Sequence, residues 1–104
     1  MKYEKQARAL IRKIIRRARQ DWTTCVYVTP YGESAVLNEG QLERDIIDAV
    51  FSCDETIITF HDMTTGRNLG KVLIVLEYDR EPCEIVSDHT GNPYTQRLID
   101  LIGA

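Results

Sequence analysis

The run Val72-Leu73-Ile74-Val75-Leu76 is the most apolar stretch of the chain and constrains the fold most. A strand of this kind has to be covered on most of both faces, so the other elements are expected to pack around it. It lies within residues 55–88, which read as three antiparallel strands at residues 56–62, 71–78 and 83–88. Each is rich in β-branched and aromatic residues, and each junction carries turn formers. Gly66 suits the first hairpin loop, and a bulge at Gly70 would shift the pairing by one. If Tyr78 pairs with Cys83, then Leu76 meets Ile85 and Ile74 meets Ser87 on one face. On the other, Glu77 opposes Glu84, Val75 opposes Val86 and Leu73 opposes Asp88. The first is the better core face.

Around this meander the pattern predicts helices. Over residues 2–20, Tyr3, Ala7, Leu10, Ile11, Ile14, Ile15 and Ala18 fall on one arc of an amphipathic helix. Residues 23–29 read as a short strand, ended by the turn Pro30-Tyr31-Gly32-Glu33, and residues 34–37 as a possible return beside it; the alternative is a loop after a longer first helix. Asn38-x-x-Gln41 has capping-box form for a second helix with a stripe of Leu42, Ile46, Ala49 and Val50. Asn92 and Pro93 start a third, with Tyr94, Leu98, Leu101 and Ile102 inward and Gly103 as its stop. The expected class is α+β: a three- to four-stranded antiparallel sheet with three helices on one face, in the order α-(β)-α-β-β-β-α. One domain covers residues 1–104.

Charge divides the chain. Residues 1–20 hold eight basic side chains against one acid, and residues 21–104 hold five against fifteen. A cationic helix is thus attached to an anionic body. Its basic residues, Lys5, Arg8, Arg12, Lys13, Arg16, Arg17 and Arg19 among them, lie opposite the apolar arc. They could track a phosphate backbone, bind an acidic protein partner, or lie against the acidic body itself. The apolar arc has no Trp or Phe, and no run approaches the length of a membrane span, so no membrane association is expected. No uncharged segment follows the basic start, so no signal peptide is expected.

Catalytic and metal patterns are weak. Cys25, Cys53 and Cys83 are odd in number and widely spaced, which argues against a disulfide framework or zinc knuckle and for buried free thiols in a reducing cytoplasm. Two histidines add no ligand spacing. The loop from Ser87 to Asn92 gathers polar groups, and Asp88 and His89 with His61, Glu77 and Glu84 form a candidate polar or ligand site. No nucleophile elbow accompanies them, and no catalytic residue, metal or cofactor is assigned.

Three further strings carry a resemblance: Cys53-Asp54-Glu55-x-x-Ile58-x-Phe60, Gly70-Lys71-Val72-x-x-Val75, and Glu84-Ile85-Val86-Ser87-Asp88-His89-Thr90-Gly91-Asn92 before the final helix. Over about half the chain, residues 54–101, the sequence resembles small accessory proteins of bacteriophages and prophages. The resemblance implies an origin in a mobile element and no catalytic residues. The expected function is that of a non-enzymatic interaction protein. Nucleic-acid binding through residues 2–19, or a small enzyme or ligand-binding protein centred on Asp88 and His89, are the alternatives. A sheet this small leaves a second, half-apolar face, to be covered by the first helix or by a second copy of the chain in a homodimer; a host protein is a further possible partner.

Overall fold

The computed structural model describes residues 4–21, 24–76, 84–87 and 93–103. In chain order the elements are α1 (Glu4–Gln20), β1 (Thr24–Pro30), α2 (Glu43–Val50), β2 (Glu55–Asp62), β3 (Asn68–Val75), β4 (Glu84–Ser87) and α3 (Pro93–Gly103). The four strands form one antiparallel sheet in the order β1-β2-β3-β4. This is the expected α+β architecture, with residues 24–30 as the fourth strand.

Strand side chains alternate between faces, and one set is closed off. Val26, Val28, Thr56, Ile58, Phe60, Val72 and Ile74 are fully buried. Above them sit Ala7, Ile11, Ile14, Ile15 and Ala18 of α1, Ile46, Ile47, Ala49 and Val50 of α2, and Leu98 of α3, in one continuous core. The five buried positions of α1 lie on the arc expected from its periodicity. α1 contacts both α2 and α3. All three helices therefore occupy one side of the sheet, and α1 does not cover the second face.

The hairpin between β2 and β3 is set by local chemistry. Asp62 Oδ1 accepts from the amides of Thr64 and Thr65 at 2.8 and 3.1 Å, and Gly66 takes φ 74°. Positive φ is cheap only without a Cβ. Phe60 pairs with Gly70 but His61 pairs with Asn68, so Leu69 is an extra residue in β3. This is the bulge expected at Gly70, whose φ is 145°.

Four expectations need correction. β3 begins and ends three residues earlier than expected, because pairing with β2 continues through the bulge to Asn68. β4 is displaced by two residues along β3: Ile85 pairs with Ile74, Val86 with Leu73, and Glu84 with Val75 rather than Glu77. A two-residue slip leaves the parity of the pairing unchanged, so the faces assigned to β3 stand. Residues 34–37 form no strand, although the Leu37 amide donates to Val28 O at 2.7 Å.

The fourth correction concerns the second helix, which begins at Glu43 with Leu42 at its N-cap and no side-chain cap. Leu42 is exposed, not part of the buried stripe. Asn38 and Gln41 turn instead to β1. Asn38 Oδ1 accepts from the Val28 amide at 2.8 Å and its Nδ2 donates to Val26 O at 3.1 Å. Gln41 Oε1 accepts from the Val26 amide at 2.7 Å and its Nε2 donates to Val26 O at 2.9 Å. With the Leu37 bond, these side chains satisfy the backbone on the edge of β1 away from β2, which would otherwise offer itself to another strand.

Candidate interaction surfaces

The basic helix meets an acidic one. The i, i+4 rise of α1 places Arg8, Arg12 and Arg16 on one flank, and α2 presents Glu43 and Asp48 to it. Arg16 grips Glu43 with two bonds, Nε to Oε1 at 2.7 Å and Nη2 to Oε2 at 3.3 Å. Arg12 Nε lies 3.7 Å from Glu43 Oε2. Arg8 Nη1 donates to Asp48 Oδ1 at 3.0 Å, and its guanidinium sits 4.6 Å from the centre of the Phe51 ring. Hydrogen bonding from Arg16 lowers the Glu43 pKa. Partial burial opposes that shift, and the charges of Arg16, Arg12 and Arg19 assist it. The same bond raises the Arg16 pKa. Part of the basic arc thus lies against the acidic body. Lys5, Lys13 and Arg19 are exposed and make no ion pair among the described residues.

The second sheet face carries the remaining strand side chains in rows set by the register. Glu55 stands beside Val75. The next row is Thr29, Ile57 and Leu73, with Val86 at its β4 position. Then come Tyr27, Thr59 and Lys71, and beyond them Cys25 and His61. No helix among the described residues packs on this face. Ile57, Leu73 and Val75 are half-buried, and Tyr27 is 37% exposed. The face has an apolar middle row, an acid on one side of it and a lysine on the other.

His61 is the one residue of the expected polar site whose side chain is described. It joins partners that sequence reasoning did not connect to it. Cys25 is its cross-strand neighbour, and the Tyr27 ring meets its imidazole edge-on at 5.3 Å. A hydrogen bond with Cys25 raises the Tyr27 pKa, and the electrostatic influence of Cys25 and burial act in the same direction. The His61 Nδ1 is buried and has no hydrogen-bond partner among the described residues. The signal for this cluster was the pairing of β1 with β2, which no single residue announces. Glu84 is placed only by its backbone pairing with Val75, away from His61. Glu77, Asp88 and His89 lie outside the described residues, as does Cys83. Cys25 and Cys53 are free and half-buried, less enclosed than expected.

Among the described residues, no group of three His, Cys, Asp or Glu side chains is arranged to hold a metal ion, and no helix is long and apolar enough to cross a membrane. No protein-family model matches the chain, and no curated protein or solved structure matches it.

Proposed function

We propose that this is a non-enzymatic interaction protein whose working surface is the second face of the sheet, and that a second copy of the chain occupies that face. The resemblance to phage accessory proteins adds an origin in a mobile element to this reading. One observation carries it: the face is self-complementary about its middle row. Glu55 lies one row to one side of Ile57 and Leu73, and Lys71 one row to the other. A two-fold axis running across the strands through that row stacks Ile57 and Leu73 on their own copies. It also brings Lys71 over Val75 of the second copy, one strand spacing from Glu55. Face-to-face sheets pack about 10 Å apart, within reach of these side chains.

Nucleic-acid binding through residues 2–19 is the weaker reading, because Arg8, Arg12 and Arg16 already hold carboxylates of α2. Changing Lys5, Lys13 and Arg19 to Glu would abolish a salt-dependent shift of DNA if that reading held.

The dimer is tested by light scattering across a concentration series. The native chain is expected at twice its monomer mass and the Leu73→Lys variant at the monomer mass. Glu55→Lys and Lys71→Glu should each weaken the dimer, and the two together should restore it. A monomer at every concentration overturns the second copy as occupant. Failure of the double variant to recover overturns the alignment.

A further inference from the structure

Where the end of α1 meets the start of α3, Arg17, Asp21, Tyr94, Arg97 and Leu98 line an open-sided cavity of about 290 Å³. Its walls are fixed from within. The Tyr94 ring meets the fully buried Phe60 edge-on at 6.3 Å, which holds its hydroxyl at the rim. That hydroxyl donates to Asp21 Oδ2 at 2.9 Å. Arg17 Nη1 donates to the neutral Gln20 Oε1 at 3.2 Å. Arg8, Arg12 and Arg16 all have carboxylate partners, whereas neither Arg17 nor Arg97 makes an ion pair among the described residues. The first turn of α3 contains no acid, which leaves the positive end of that helix uncompensated by its own side chains.

Two guanidinium groups and one carboxylate give the cavity a net positive charge. Each guanidinium offers a planar fork of donors matched to an oxyanion. The carboxylate asks for something further. It only accepts, and with Oδ2 taken by Tyr94 its Oδ1 suits a ligand that brings a donor. An oxyanion that retains a hydroxyl meets both demands. Phosphate keeps a P–OH at neutral pH and sulfate keeps none. The volume lies near the lower limit for small-molecule sites, enough for a phosphoryl group with a short substituent.

We propose that this cavity binds a protonated phosphate, either the inorganic ion or a small phosphomonoester in its singly protonated form, with Arg17 and Arg97 on its anionic oxygens and Asp21 accepting from its P–OH.

The test is a calorimetric titration of the native protein with inorganic phosphate and, separately, with sulfate at matched ionic strength. Saturable phosphate binding within about 10 mM is expected, with sulfate at least ~10-fold weaker. Arg97→Gln and Arg17→Gln should each weaken phosphate binding ~10-fold or more. Asp21→Asn should collapse the preference over sulfate, because an amide can donate where the carboxylate cannot. Far-ultraviolet circular dichroism checks that each variant folds, and Arg17→Lys, retaining charge but losing the fork, replaces Arg17→Gln if that variant does not. Glycerol 3-phosphate and inorganic phosphate compared at a pH of about 5, below the ester's second pKa of ~6 so that both keep a P–OH, separate the sources: tighter binding of the ester identifies an ester, weaker binding the free ion. Equal binding of phosphate and sulfate, phosphate binding unchanged by both glutamine variants, or no saturable phosphate binding would overturn the proposal.

Discussion

The two faces of this sheet are cut from the same strands and differ by one residue of offset. Val72 and Ile74 lie under the helices with no exposed surface. Leu73, between them, is half-buried on the other side. Residue type does not distinguish these positions. What distinguishes them is that α1, α2 and α3 all have an apolar stripe and all place it on the even-numbered face. All three helices are used up in one layer on one face, and the second face is left to the rows of Ile57, Leu73 and Val75. Apolar content therefore reports that a strand is central, while the supply of amphipathic helices decides which face they close.

The sharpest way to break that comparison is to truncate one side chain on each face. Phe60 is fully buried and touches Tyr94. Phe60→Ala should cost ~3–5 kcal/mol, from lost transfer energy and the cavity left behind. Leu73→Ala should cost only about 1 kcal/mol in the monomer, because its methyl groups are part-solvated already. Urea unfolding at low protein concentration measures both. Similar losses for the two would mean that the second face is as closed as the first. A Leu73→Ala loss that grows with protein concentration would point to the second copy.

A smaller but more local effect separates the two kinds of sheet boundary, the covered face and the closed edge. Asn38 is 6% exposed and bonds to Val28 N, Val26 O and Gly40 O. Asn38→Ala orphans the Val28 amide in a site largely shut off from water, for a cost of ~1–3 kcal/mol. It also uncovers part of an edge strand, so turbidity on heating should rise along with the drop in the unfolding midpoint. A stable variant that aggregates no faster would show that Gln41 and Leu37 close the edge without it.

How far the sequence predicts this arrangement varies by element. The stripe of α1 and the better core face of the meander follow from periodicity, which depends only on where each Cβ points. The bulge follows from Gly70, because few other residues tolerate its backbone angle. Asn38 and Gln41 bind a strand edge rather than cap a helix for a physical reason: an amide that can accept from a helix N–H can equally accept from a strand edge, and the spacing is compatible with both. The β3–β4 register differs by two from the one expected because the alternation of faces does not distinguish registers two residues apart. At the candidate surfaces, the opposite charges of α1 and the body were plain, but which arginines would be engaged depends on which flank α2 occupies. The cluster of Cys25, Tyr27 and His61 and the cavity at Arg17 and Arg97 arise only once distant segments are packed.

The smallest expected effect tests that last distinction, between the engaged and the unengaged flank of α1. Glu43 meets Arg16 and Arg12 on a surface only partly closed to water, where such pairs contribute under ~1 kcal/mol. Glu43→Gln should lower stability by that amount at neutral pH and less in high salt. The pH dependence has a definite sign. The Glu43 carboxyl sits below its ordinary value of 4.5 in the folded chain, so the unfolded chain takes up its proton first as the pH falls. The stabilisation is therefore complete above about 4.5 and is lost as the pH drops through the folded value. Native and Glu43→Gln unfolding curves should differ at pH 7 and converge in acid. Lys13→Gln, on the exposed arc, should show no such convergence because it has no carboxylate to lose among the described residues. A constant gap between native and Glu43→Gln at every pH would mean that the ionisation of Glu43 contributes nothing to the difference.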